Sequence, residues 1–469
     1  MSSPTSNATL GWWFTSARAL LALAVPLVLT NFAYVALTTV DIVMLGRLSA
    51  TDIAAAGLAI VLFEQLRTTG VGLVIGVSNL VAEAHVRGDQ QRIRDLLVAG
   101  FFWATVSGVA FFAVLSTLEP FLGLLGQSPA VVAKTGKFLL VMAPGMLPCL
   151  WFQTLRHFTT GLKRPGPLLA ITLASIGVTI ILNYALIYGR LGLPEFGFLG
   201  VAITTTTVFL LSFLAFLVVI LNNRSLAPYF ARRELQWSGD AIKSVWKLGL
   251  PLAGTHASEA GFFTVLTLLI GTLGHEALAA QTVLNQILEI GFMISAGLSH
   301  ASSIHISEAH GLGDYVKARQ LGLLGLALGV MAMLIIAVPY LLIPGSIVSV
   351  FISEHATNVA IMQLIASGLL IVTVMQIFDA GQIIGIGILR GVGDAARPFC
   401  ISLVGYWLVG LPVSYLLGVT AGHGVRGVWV GLTVGLAATA AVLTGAFLVR
   451  VKRLQREGAY AKMVESGAT

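Results

Sequence analysis

The chain has 469 residues, of which 57% are hydrophobic and only 10% charged. A soluble globular chain carries about 25% charged residues, so most of this chain does not face water and a soluble enzyme is excluded. The net charge of +7 would suit nucleic acid, but the charges sit in short loops between apolar segments, which argues against that partner. The two cysteines, Cys149 and Cys400, lie in apolar runs and make neither a disulfide framework nor a zinc site.

In chain order, residues 1–17 are polar and aromatic without a basic run. The apolar stretch at 19–40 is too long for a signal-peptide core, and no clear cleavage site follows, so it is read as a retained first helix. A membrane helix needs about 20 mostly apolar residues. Stretches of that kind fall at about 18–45, 53–84, 96–117, 131–160, 167–190, 198–222, 243–271, 278–309, 321–343, 357–389, 398–418 and 425–450. The expectation is an all-α membrane protein of twelve transmembrane helices, because a β-barrel would show short alternating segments instead.

Basic residues set the orientation. With the N-terminus inside, 20 of the 27 Lys and Arg fall on the cytoplasmic side, including Arg87, Arg92, Arg94, Arg232, Arg233, Lys317 and Arg319. Arg47, Lys134, Lys137, Arg190 and Arg426 fall outside, and Arg67 and Arg156 lie within helices. Both termini are expected in the cytoplasm and the protein in a bacterial inner membrane. The segments near Ser49, Ala130, Pro194, His275, His355 and Gly424 then lie outside.

A shift of 225 positions aligns residues 26–96 with 251–321 without a gap, and 20 of the 71 pairs are identical. Pro26 meets Pro251, Glu64 meets Glu289, and Glu83-Ala84-His85 with Gly88-Asp89 meets Glu308-Ala309-His310 with Gly313-Asp314. The match continues with small shifts, pairing Phe152 with Phe378. Two six-helix lobes follow: 1–222, then a cytoplasmic linker at 223–242, then 243–450, with a cytoplasmic tail at 451–469. Six helices per half is an even number, so both halves start inside. Parallel repeats of this kind occur in transporters whose halves rock around a central site.

Ionisable side chains within the bilayer are costly and point to function. Asp41, Glu64, Glu259, Glu289 and Asp379 qualify. A carboxylate there can carry a proton or ligate a cation; the plainer alternative is an acid neutralised by a structural hydrogen bond. Arg67 follows Glu64 at i,i+3, a spacing that allows a simple salt bridge. Glu83 and Glu308 lie near cytoplasmic helix ends, where fixing a loop is the simpler role. Asn183 and the threonines at 204–207 are polar within apolar spans, although a threonine can satisfy its hydroxyl on its own helix. His300, His305 and His310 recur every five residues and so do not share a helix face. Pro26 and Pro251 predict kinks. Gly385-Ile386-Gly387 follows no strand, and no Gly-rich phosphate loop ends in Lys and Ser or Thr, so neither dinucleotide nor ATP is expected.

These residues resemble the multidrug and toxic compound extrusion (MATE) family, in its bacterial NorM-like branch, over about residues 15–450. The segment Thr39-Val40-Asp41-Ile42-Val43-Met44-Leu45-Gly46 is similar to the family's helix 1 motif. Leu182-Asn183-Tyr184 with Tyr188-Gly189 is similar to its helix 5 motif, and Leu389-Arg390-Gly391 with Gly393-Asp394 to the segment after helix 10. Glu259 in Ala257-Ser258-Glu259 and Asp379 in Phe378-Asp379-Ala380 look like the acids of the NorM C-lobe cation site.

The resemblance implies the 6+6 fold and export of cationic, amphipathic small molecules in exchange for Na+ or H+. It implies N-lobe coupling at Asp41 and Asn183 and C-lobe coupling at Glu259 and Asp379, where Na+ is a candidate ligand. Glu289, Glu64 and Thr204 are candidates for the substrate cavity. No cofactor is expected beyond the coupling ion, and the protein is expected to act as a monomer in contact with membrane lipid. Flipping of a lipid-linked precursor is the alternative within transport; it would call for an Arg-rich cavity, and only Arg67 and Arg156 are intramembrane. An intramembrane enzyme lacks a supporting motif.

Overall fold

The computed structural model describes residues 6–46, 48–124, 128–166, 168–230, 236–351 and 359–465. Arg47, Arg232, Arg233 and His355 lie outside the described residues. The described chain is helical, without a strand. In hydrocarbon every backbone N–H and C=O must be satisfied within the segment, and a helix achieves this.

Twelve long helices carry the fold among the described residues. They are α1 (Ser6–Leu45), α2 (Ala50–Val86), α3 (Gln90–Thr117), α4 (Pro129–Gly161), α5 (Leu168–Tyr188), α6 (Leu199–Asn222), α7 (Gly239–Gly271), α8 (His275–Gly311), α9 (Tyr315–Leu342), α10 (Val359–Gly391), α11 (Ala396–Thr420) and α12 (Gly424–Glu465). Eleven of them are long and apolar enough to cross a membrane by composition alone. The exception is α7, whose apolar run is broken by Thr255, His256, Ser258 and Glu259. Large side chains such as Val43, Leu268 and Leu408 are exposed on the outer faces, as lipid contact requires.

Two α helices are interrupted. A 3-10 turn at Ala143–Gly145 divides α4, and π-helical stretches at Val404–Gly410 and Leu416–Thr420 widen α11. The repeat is visible in the turns. Asp89 caps α3 by accepting from the Arg92 amide at 2.9 Å, and Asp314 caps α9 by accepting from the Lys317 amide at 3.0 Å. Gly88 and Gly313 precede these caps with φ of 72° and 70°, a conformation that favours glycine.

The chain divides into two compact units. One is Leu29–Ala257; the other is Met1–Val28 with Ser258–Thr469. The division therefore runs through α1, between Val28 and Leu29, and through α7, between Ala257 and Ser258. In the first unit the start of α7 packs on α2 and α3. A Cβ added at Gly72 would lie 2.7 Å from the Ala253 Cα, so the backbones are in direct contact. Trp246 stacks on Trp103 at 4.3 Å between ring centroids, and the Trp103 indole donates to the Ile242 carbonyl at 3.0 Å. The second unit repeats the arrangement. A Cβ at Gly297 would meet the Val28 backbone nitrogen at 3.1 Å, so the start of α1 packs on α8. Val28 and Ala253 are themselves 225 positions apart.

The pairing of Phe152 with Phe378 needs correction. Gly161 packs against Ser78 and Val81, and Gly391 against Ser303 and Ile306. Gly100 meets Val77 and Thr154, and Gly325 meets Ser302 and Ile384. The partners on α2 and α8 differ by 225, but those on α4 and α10 differ by 230. Residues 118–128 correspond to 343–358, a segment five residues longer, which accounts for the change from 225 to 230. The 230 register pairs Cys149 with Asp379.

Candidate functional site

The unit Leu29–Ala257 holds a cleft between α1, α2, α4, α5 and α6. Its α1 wall is Tyr34, Leu37, Thr38 and Asp41, one face at i, i+3, i+4 and i+7. Its α6 wall is Thr205, Val208, Phe209 and Ser212 at the same spacing. From α5 come Thr172, Ser175 and Thr179, from α2 Ile60 and Glu64, and from α4 Phe152.

Asp41 is buried at one end of this cleft. Asn183 donates to its Oδ1 at 2.7 Å, and the Thr205 hydroxyl donates to its Oδ2 at 3.4 Å. The Tyr188 hydroxyl donates to the Met44 carbonyl at 3.0 Å, which ties α5 to α1 beside the pair. The Asn183 Oδ1 and the Thr179 hydroxyl are buried without a partner among the described residues. Thr205, rather than Thr204, faces the cleft; Thr204 is fully buried and does not line it. The periodic face of α6 that runs through Ser212 would have selected Thr205, since neighbouring helix positions are turned by about 100°.

Glu64 also lines the cleft, and it is paired. Its Oε2 accepts from Arg67 Nη2 at 2.5 Å and from Arg67 Nε at 2.7 Å. The Arg67 guanidinium lies over the Tyr34 ring at 5.2 Å, a cation–π contact, and the Cys149 thiol lies beside both. Arg156 donates to Asn31 at 2.8 Å.

A second constellation occupies the other unit. Glu259 on α7 hydrogen-bonds with the Tyr406 hydroxyl, which accepts from Gln382. The Tyr406 ring stacks on Phe262 at 5.0 Å, and Trp407 donates to Ser258 at 2.9 Å. Asp379 on α10 and Glu289 on α8 stand within electrostatic reach of Glu259. Asp379 is buried and makes no hydrogen bond to another described residue. Gln376 and Gln382 each keep a buried, unpartnered amide oxygen nearby on α10. Tyr406 and the two glutamines have no sequence signal, because Tyr406 lies in a π-helical stretch where the 3.6 period fails.

The remaining candidates lie apart from these two places. Glu83 pairs with Arg87 at 2.7 Å, and His305 lies 3.8 Å from Glu308. Among the described residues no three His, Cys, Asp or Glu side chains group closely enough to hold a metal ion by themselves.

The family model described as MatE matches this chain twice, at residues 26–185 and 251–416. The chain belongs to the MATE family. The two matched segments begin at Pro26 and Pro251, 225 positions apart, as the internal repeat does. MATE proteins are multi-pass membrane transporters, not enzymes. Among the relatives, a probable multidrug resistance protein NorM of Pseudomonas aeruginosa is 35% identical over 439 residues, which covers 93% of this chain and 90% of that one. A probable NorM of Pseudomonas putida is 34% identical over 442 residues, covering 94% and 96%. An outward-facing multidrug resistance MATE transporter superposes with a TM-score of 0.86 at 18% identity, covering 94% of this chain and 97% of that one. A transporter from Pyrococcus furiosus described as having a binding pocket of reversed polarity superposes with 0.85 at 18%, over the same shares. At such identity the likeness concerns the two-lobe fold alone.

Proposed function

We propose that this MATE protein exports cationic, amphipathic drugs and toxic compounds in exchange for Na+ or H+, by alternating access. The observation that carries the reading is the cleft in the unit Leu29–Ala257. It has aromatic and aliphatic walls, and Asp41 is its one carboxylate without a basic partner among the described residues. Apolar walls with a few placed polar groups suit a small amphipathic ligand, and a lone anion in low dielectric favours a cation. The names of the NorM relatives support the same substrate class. Asp41 with Asn183 would couple in the N-lobe, and Glu259 with Asp379 in the C-lobe. There oxygen ligands suit a hard ion such as Na+. Coupling requires only that ion and drug favour different states.

The lobes in this reading are 1–222 and 243–450, joined by the cytoplasmic linker 223–242 and followed by a cytoplasmic tail. Both termini lie in the cytoplasm, in an inner membrane, and the chain acts as a monomer. The test is expression in a bacterial strain stripped of its own pumps. Wild type should raise the inhibitory concentration of ethidium, and Asp41→Asn, which keeps the shape and removes the charge, should abolish the increase at equal membrane levels. Equal resistance from both would remove Asp41 from the mechanism.

A further inference from the structure

The internal repeat brings the two polar constellations into register. The 225 shift places Tyr34 at the position of Glu259, Glu64 at that of Glu289, and Arg67 at that of Phe292. The 230 register of α4 and α10 places Cys149 at the position of Asp379, as the packing of Gly161 and Gly391 requires. Each unit thus carries one set of four residues at equivalent backbone positions. In one it is Glu259, Glu289, Asp379 and Phe292. In the other it is Tyr34, Glu64, Cys149 and Arg67.

The charges of the two clusters differ in kind. In the first, the charged groups within electrostatic reach of Asp379 are both acids, Glu259 and Glu289. Asp379 is nine-tenths buried and has no donor among the described residues. In the second cluster two of the three acids are replaced by the neutral-capable Tyr34 and Cys149. The one acid that remains, Glu64, is held by Arg67 at 2.5 Å. The guanidinium touches all three partners: it pairs with Glu64, lies over Tyr34 and sits beside Cys149.

We propose that Arg67 is a resident counter-ion, which does in the N-half cluster what a mobile monovalent cation does among Glu259, Glu289 and Asp379. This rests on the reading that the C-half acids take the coupling ion. A buried carboxylate needs a cation or a proton. Where the cation is tethered to the chain, none has to be drawn from solution. The N-half cluster is therefore ion-independent, and its cleft presents the charge of Asp41 alone to a substrate. Asp41 has no acidic equivalent in the other half, where Leu266 stands at its position, fully buried. The two halves thus differ at two equivalent positions: Asp41 stands where the C-half has Leu266, and Asp379 stands where the N-half has Cys149.

The experiment measures equilibrium binding of radioactive Na+ to the purified full-length protein, with proton uptake followed across a pH series. The variants are Arg67→Phe, which installs the residue found at the equivalent position, Arg67→Phe with Glu64→Gln, and Asp379→Asn. Arg67→Phe should gain about one bound Na+ or one proton per chain, since one carboxylate loses its counter-charge. Adding Glu64→Gln should remove that gain. Binding unchanged in Arg67→Phe, or a gain indifferent to Glu64→Gln, overturns the proposal and leaves the ion pair a simple brace. The underlying reading fails separately, if Asp379→Asn leaves wild-type cation binding intact. If Arg67→Phe does not yield folded protein, Phe292→Arg supplies the reciprocal test. It should abolish the cation binding that depends on Asp379, and wild-type binding in that variant overturns the proposal.

Discussion

Two buried acids of similar sequence setting have opposite surroundings. Asp41 accepts from Asn183 and Thr205, so donors fixed on α5 and α6 already stabilise its charge. Asp379 makes no hydrogen bond to another described residue and has Glu259 and Glu289 within electrostatic reach. In the proposed mechanism a cation or a proton relieves repulsion between such acids, so Asp379 is expected to be the more ion-dependent of the two. One charge contact in a partly screened interior is worth up to about 4 kcal/mol. Asp379→Asn should therefore weaken Na+-triggered release of a fluorescent cation from liposome-reconstituted protein by at least about tenfold. Glu259→Gln should be milder, because the amide can keep its bond to Tyr406. Wild-type release in both variants at every Na+ concentration would make this cluster structural. The acids were legible in the sequence because a charge in an apolar run stands out. The neutral polar partners Gln376, Gln382 and Tyr406 were not, because nothing in composition separates them from ordinary core residues.

At the scale of helices, the termini show the clearest rules. Gly88 closes α2 with φ of 72° and has open space where a Cβ would lie, so a substitution there is opposed by backbone strain alone. Gly88→Ala should lower stability by about 1 kcal/mol, the usual cost of a left-handed non-glycine residue. Lys163 stands at φ of 54°, at the position where the other half has Gly393. Lys163→Gly should accordingly raise stability slightly; a fall in midpoint by fluorescence-detected thermal denaturation in detergent would refute that. Periodicity and turn signals gave the helices and these turns. Among the twelve, α7 falls short of the apolarity of a crossing helix because Thr255, His256, Ser258 and Glu259 interrupt its run, and two of these make polar contacts: Ser258 accepts from Trp407 and Glu259 hydrogen-bonds with Tyr406. The exchange of α1 and α7 between compact units was not legible either, since packing partners leave no trace in hydropathy.

For the whole molecule, the repeat was readable through residue 321 because α2 and α8 have 37 residues each, and α3 and α9 have 28 each. Beyond it, the longer connection at 343–358 moved the register by five, and chance identities such as Phe152 with Phe378 could mislead. Contacts made by Gly161 and Gly391 restore the register. Topology is testable with single cysteines in a variant lacking Cys149 and Cys400. A cysteine at His275 or Gly424 should react with an impermeant reagent from the periplasm, and one at Arg87 or Arg319 should not; the reverse pattern would invert the protein. The central claim is that an ion gradient drives drug export. The most direct measurement is efflux of ethidium by purified protein in proteoliposomes, with Na+ and proton gradients imposed one at a time. At least one inward gradient should drive uphill ethidium movement in wild type, and the movement should be lost in Asp379→Asn or Asp41→Asn. Uphill movement under neither gradient, with protein correctly folded and inserted, would contradict the account.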